Sequence, residues 1–227
     1  PLDFAGKNFL QTSILINMKE WNADGDLWLG FVTDKGSLYG NPAPGTSSNV
    51  LNADSSYRAI SLYLDYSGSN DRFQVRFQNK TGTSNSSQVS GSPNIDVNNV
   101  TGDVRDNWVR LTLSLIPTGT ANQYEAKASI EDLGRYGVST PVLLNSGSTN
   151  ITNAELATAG QKGFAAYHVY YDNSNNTGRT RLDSHGAEAR SGIPDAPEAL
   201  PATEITTTDL TANWRRADTG GYPLQGY

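Results

Sequence analysis

The chain is expected to be all-β, built of antiparallel sheets packed face to face. Three observations lead there. Apolar residues recur with a period of two in segment after segment. Gly, Pro, Asn, Asp and Ser cluster between those segments, where turns belong. Only one stretch carries both a helix start and a helix stop signal.

The strands follow in order. Ile14, Ile16 and Met18 alternate with Ser13, Leu15, Asn17 and Lys19. Leu27, Leu29 and Phe31 alternate with Trp28, Gly30 and Val32. Ile60, Leu62 and Leu64 alternate with Ser61, Tyr63 and Asp65, and Phe73, Val75 and Phe77 with Gln74, Arg76 and Gln78. Val109, Leu111, Leu113 and Leu115 form another row, as do Tyr124, Ala126, Ala128 and Ile130. Each pattern describes a strand with one buried and one wet face. Asp24-Gly25 is a hairpin signal, and residues 67–71 and 117–122 join the next two pairs. Thr152 is placed to cap one short helix, with Glu155 completing a capping box and Gly160 ending it. Residues 81–106 read as polar loop with one short strand around Ile95 to Val97.

Composition narrows the role. Asn, Ser and Thr supply 64 of 227 residues, so the sheets must display much polar face. No apolar run approaches the ~18 residues of a membrane helix, so membrane insertion is not expected. A net charge of −6 and a pI near 4.9 argue against nucleic acid as the main partner. There is no cysteine, which excludes a disulfide scaffold, a thiol nucleophile and a Cys-type zinc site. The chain opens at Pro1 without Met or signal peptide, as an internal fragment or processed form would.

Turn geometry then predicts register. With a two-residue loop at Asp24-Gly25, Trp21 faces Trp28, Lys19 faces Gly30 and Asn17 faces Val32. Trp21 and Trp28 would then pair away from the interior, with Gly30 leaving room above the sheet. Such a pair is open to three readings: a hairpin-stabilising contact or a core covered by residues 37–52, a flat platform for a sugar ring, or a protein contact. Around the turn at 67–71, Asp65 faces Gln74, Tyr63 faces Arg76 and Ser61 faces Gln78. Tyr63, Asp65, Gln74 and Arg76 thus supply groups suited to sugar hydroxyls, and equally describe a solvated sheet face. Asn22-Ala-Asp24-Gly-Asp26 places oxygen ligands at alternate positions, as calcium loops do; the same residues suit a plain type I′ turn.

Two stretches carry a family resemblance for residues 1–190. One is Trp108-Val-Arg-Leu-Thr-Leu-Ser-Leu115 followed by Tyr124-Glu-Ala-Lys-Ala-Ser-Ile130; the other is Gly163-Phe-Ala-Ala-Tyr-His-Val-Tyr-Tyr-Asp-Asn173. With the strand rhythm they resemble concanavalin A-like (laminin G-like) jelly rolls of large bacterial surface and secreted proteins. The resemblance implies two curved sheets, often carbohydrate binding on a concave face or rim, and calcium near Asp172-Asn173. Residues 191–201 form a proline-rich linker. After it, residues 202–227 resemble the opening of a fibronectin type III domain. The likeness rests on Pro194-Asp-Ala-Pro197, Leu210-Thr-Ala-Asn-Trp214 and the closing Gly220-Gly-Tyr-Pro-Leu-Gln-Gly-Tyr227. Such a partial module lacks the strands that would cover it.

Catalytic constellations are not evident. Glycosidases of the jelly-roll class carry Glu-x-Asp-x-x-Glu on one strand, and this chain has no such motif. Glu125 and Glu131 share a wet face but lie roughly 20 Å apart along a strand. Lyases of this shape use Tyr and His. Tyr167-His168 supplies the residue types, but the period groups His168 with Phe164, Ala166 and Tyr170 on the buried face. The expectation is a non-catalytic carbohydrate-binding or adhesion domain of a secreted or cell-surface multidomain protein. Its site would be Trp21, Trp28, Tyr63, Asp65, Gln74 and Arg76, and calcium would sit at Asp24, Asp26 and Asp172. Two alternatives stand beside it. One is a structural module assembling a layer, stalk or filament, with other chains covering the incomplete fibronectin-like part. The other is a lyase or hydrolase with an unfamiliar site.

Overall fold

The computed structural model describes residues 2–3, 9–17, 25–33, 51, 57–67, 70–81, 85–104, 106–157, 162–171, 181–190, 198–203 and 211–215. Strands dominate. They are β1 (Leu2–Asp3), β2 (Phe9–Asn17), β3 (Gly25–Thr33), β4 (Ala59–Ser67), β5 (Arg72–Lys80), β6 (Ser87–Gln88) and β7 (Ile95–Asn98). The later ones are β8 (Trp108–Pro117), β9 (Gln123–Asp132), β10 (Val142–Thr152), β11 (Lys162–Tyr171), β12 (Arg181–Arg190), β13 (Glu198–Thr203) and β14 (Thr211–Arg215). Two four-residue helices interrupt them, α1 (Val100–Asp103) and α2 (Ala154–Ala157).

Among the described residues all pairings are antiparallel, and most lie in two main sheets. A seven-stranded sheet runs β1-β11-β3-β4-β5-β6, with β7 also on β5; a five-stranded sheet runs β10-β9-β8-β2-β12. The core lies between them and is made of the rows read from the sequence. Leu27, Leu29, Phe31, Leu62, Leu64, Phe73, Val75 and Phe77 come from one sheet, and Ile14, Ile16, Leu111, Leu113, Leu115, Ala126 and Ile130 from the other. The expected all-β, two-sheet antiparallel arrangement is therefore present. β13 and β14 pair separately as a two-stranded sheet. That pairing begins at Glu198, within the stretch read as linker.

One hairpin has the predicted register and a second the predicted connection. Asp65 pairs with Gln74, Tyr63 with Arg76 and Ser61 with Gln78. The hairpin of β8 and β9 closes across 118–122. The hairpin around Asp24-Gly25 does not form: β2 pairs with β8 and β12, whereas β3 pairs with β11 and β4. Asn17 accordingly lies opposite Trp108 and not Val32. The physical reason is burial. β2 and β3 each carry a full apolar row, and placing them in opposite sheets buries both rows against each other. The turn signal does not keep the two strands in one sheet.

The helix is present but its cap differs: Glu155 completes no capping box and pairs with Arg58 instead, and Gly160 lies outside the described residues. Thr152 ends β10, and Asn153 caps α2, its Oδ1 accepting from Leu156 N at 3.3 Å. Asn153 is itself buried and donates to Asn79 Oδ1 at 3.0 Å. β10 and β12 have no sequence counterpart in the reading above. Apart from Val142 and Leu143 at the start of β10 their outward residues are polar, and few of their side chains are buried, so they show no apolar row.

Candidate functional site

Cross-strand register assembles most of the expected residues on the outer face of the seven-stranded sheet. One rank across it is His168, Trp28, Tyr63 and Arg76; the next is Asp26, Asp65, Gln74 and Asp96. Sequence alone did not say whether Trp28 and the Tyr63 hairpin share a sheet; here β3 and β4 are neighbours. Trp21 lies outside the described residues.

The Trp28 ring is not an open platform. It is 8% exposed, with Tyr63 at 4.8 Å and His168 at 5.9 Å between ring centroids. Val32, Leu51 and Ala59 bury with it, and Tyr57, Phe164 and Ala166 pack around them. This is a second, smaller apolar cluster on the outside of the sheet. Gly30 does not leave room above the sheet either: a Cβ there would meet Ile60 O at 2.3 Å. His168 lies on this outer face against Trp28, whereas Ala165 and Val169 of β11 pack on the main core. The expected parity of β11 is thus reversed, because both of its faces carry apolar residues and alternation does not say which looks inward.

Most of the polar residues here pair with one another, although Ser61 Oγ and Arg72 Nε are buried without a hydrogen-bond partner among the described residues. Tyr63 Oη donates to Asp26 Oδ1 at 2.8 Å. Arg76 lies 3.8 Å from Asp65 and 5.8 Å from the centre of the Tyr63 ring. Gln74, only 7% exposed, donates to Asp96 Oδ1 at 3.3 Å, and Arg72 reaches Asp96 Oδ2 at 3.4 Å. With Lys80 buried as well, the cations of this face are matched by carboxylates or withdrawn from solvent.

Burial raises the Asp26 carboxyl above the usual carboxylate range; the Tyr63 hydrogen bond opposes that rise and the nearby Asp65 charge adds to it. Burial also pushes the Tyr63 phenol well above its ordinary value, helped by the hydrogen bond to Asp26 and the charges of Asp26 and Asp65. The sign of the linkage follows. Above pH ~10 the unfolded chain releases the Tyr63 proton while the folded chain keeps it. Stability from this site is therefore full below pH ~10 and declines as pH rises beyond it. Tyr63→Phe should flatten that alkaline decline, read as melting temperature between pH 9 and pH 11. An unchanged slope would mean that Tyr63 is solvated.

Of the expected calcium ligands, Asp24 and Asp172 lie outside the described residues. Asp26 accepts the Tyr63 bond. Among the described residues no three acidic or histidine side chains group closely enough to hold a metal ion.

The five-stranded sheet carries a different outer face, which the sequence reading missed. One rank crosses it as Ser146, Ser129, Thr112, Ser13 and Gly186; the next as Ser148, Lys127, Ser114, Gln11 and Glu188. A depression of about 410 Å³ is lined by Thr112, Ser114, Lys127, Ser129, Ser146 and Ser148. A second, of about 260 Å³, is lined by Gln11, Thr12, Ser13, Gly186, Ala187 and Glu188. Ser114 and Gln11 link the two, with Ser114 Oγ donating to Gln11 Oε1 at 3.1 Å. Lys127 lies 3.3 Å from Glu125, and Arg190 pairs with Glu188. The findable signal was a hydroxyl at wet-face positions of several strands, visible only once the strand order is known.

Comparison with known protein families, with curated proteins and with solved structures returned no match. The class defined by the structure is therefore architectural, an all-β protein of two packed antiparallel sheets.

Proposed function

We propose that this chain is a non-catalytic carbohydrate-binding domain of a secreted or cell-surface protein, and that the glycan lies along the two hydroxyl ranks of the five-stranded sheet. In this reading the two sheets are a concanavalin A-like jelly roll, and β13 and β14 open a fibronectin type III module. The observation that carries it is the pair of ranks crossing five strands. At the usual strand spacing they span roughly 19 Å, enough for several sugar rings. Hydroxyl, amide and ammonium groups spaced along a shallow depression can donate to and accept from a sugar at successive positions. Each group desolvated without a partner costs about 1–3 kcal/mol, which gives such a surface its selectivity.

The groove's cation Lys127 has Glu125 beside it, so the ligand class is a neutral polysaccharide and binding should vary little with salt. Binding is tested on a glycan array and then by calorimetry. Thr112→Val keeps the shape and removes one hydroxyl, and should weaken binding about tenfold, the equivalent of about 1.4 kcal/mol. Lys127→Ala should weaken it similarly. Affinity unmoved by both substitutions would remove the groove from consideration. Reducing-sugar and unsaturated-product assays should show no turnover; product would make the chain an enzyme.

Calcium belongs to the same reading. Gly25 and Tyr171 are cross-strand partners, and Asp24 and Asp172 are the next residues in the chain. A bound ion stabilises by mass action. Chelator should therefore lower the melting temperature in calcium buffer, and no change would deny the ion a structural role.

A further inference from the structure

The edges of this protein's sheets are treated unequally. An exposed edge offers unpaired N–H and C=O groups to any other strand, and proteins blunt edges by shortness, charge or bulging. The seven-stranded sheet ends in short strands, β1 on one side and β6 and β7 on the other, and β1 pairs with β11 only at Lys162 and Gly163. One edge of the five-stranded sheet is β12, which carries Arg181, Asp183, Glu188 and Arg190. β12 also breaks register between Asp183 and Gly186, where Ser184 has φ 49°.

β10, the other edge of that sheet, is eleven residues long and holds no charged residue. After one irregularity between Leu143 and Asn145, it runs in unbroken register with β9 to Thr152. Val142 and Leu143 are 61% and 58% exposed, and in the preceding loop Tyr136 and Val138 are 79% and 85% exposed. Asn145 Nδ2 donates to Asp96 O, and Asn79 Nδ2 donates to Thr152 O, so both ends of the run are tied to the other sheet. Between those ties Ser146 N donates to Asn145 Oδ1. No described residue outside β9 hydrogen-bonds to residues 147–151.

We propose that β10 is a dimerisation edge, occupied by β10 of a second copy of this chain. Antiparallel self-pairing across a two-fold axis is self-complementary: residue i meets j, and j meets i. For a chain of net charge −6, two copies meet most cheaply along a strand without charge. Continuity of the two faces requires outward residues to meet outward ones. Pairing centred on Gly147 does this, setting Ser146 opposite Ser148 of the second copy. The result is a ten-stranded sheet in which the two hydroxyl ranks run on across the seam. A seam of this kind is smaller than the ~1,200 Å² of a stable interface, so the dimer should be weak and concentration-dependent.

Sedimentation equilibrium on the full chain tests this. From ~5 μM to ~500 μM, a range centred on weak affinities, the mass should rise from monomer toward dimer. Over that range hydrogen exchange at residues 147–151 should slow. In the variant Leu143→Lys with Asn150→Lys, each ammonium lies beside a carboxylate of its own fold, Glu131 or Glu125, which it shares with Arg110 or Lys127. It should stay monomeric throughout with an unchanged melting temperature. A native chain that remains monomeric at the top concentration overturns the proposal. So does a dimer that leaves exchange at 147–151 unchanged, or a variant that dimerises as the native chain does. If the double variant melts early, the single Asn150→Lys and the exchange data on the native chain give the same decision.

Discussion

Trp28→Ala should lower the melting temperature by about 10 °C. Truncating a buried Trp costs about 3–5 kcal/mol, and each kcal/mol moves a domain of this size by about 2–4 °C. The ring is 8% exposed and packs with Val32, Leu51 and Ala59 on the outside of the seven-stranded sheet. Its loss would leave a cavity beneath Tyr57, Tyr63 and Phe164, and would also release Tyr63 from its ring contact. The main core between the sheets is untouched, so the far-UV spectrum of the surviving fold should remain that of β-structure. Glycan affinity at 20 °C should stay within twofold of the native value, because the hydroxyl ranks lie on the other sheet. The opposite pattern, a native melting temperature with lost binding, would restore Trp28 as an exposed platform and defeat the groove.

Gly30→Val should be at least as damaging. A Cβ on Gly30 would lie 2.3 Å from Ile60 O and 2.6 Å from Ser61 Cα. Both obstacles are backbone of β4, so no side-chain rotation relieves them and the two central strands must part. Overpacking ordinarily costs about 1–3 kcal/mol. Here the pairing of β3 with β4, on which the outer ranks depend, would also be disturbed. The expected result is loss of the cooperative thermal transition for Gly30→Val and a reduced melting temperature for Gly30→Ala. Gly102→Ala is the control, since its added Cβ has nothing within 4 Å. A Gly30→Ala protein that melts with the native chain would show that β3 and β4 do not approach so closely.

The sequence by itself determined the strands that carry an apolar row, the core those rows fill, and the register of one hairpin. Those features depend on a period of two and on turn length, which act within a few residues of each other. Tyr63 opposite Arg76 and Asp65 opposite Gln74 follow from the turn at 67–71 alone. Tertiary structure decided the rest. It sent β2 and β3 to opposite sheets because each had an apolar row to bury. It set the facing of β3 and β11, where apolar residues occupy both faces, and so placed Trp28 and His168 together under cover rather than in solvent or in the main core. It also brought Ser13, Thr112, Ser129 and Ser146 into one rank. Ser13 lies on β2, far in sequence from the consecutive β8, β9 and β10, and β10 has no apolar row to announce it, so only the backbone pairing of β2 with β8 and of β10 with β9 completes this rank.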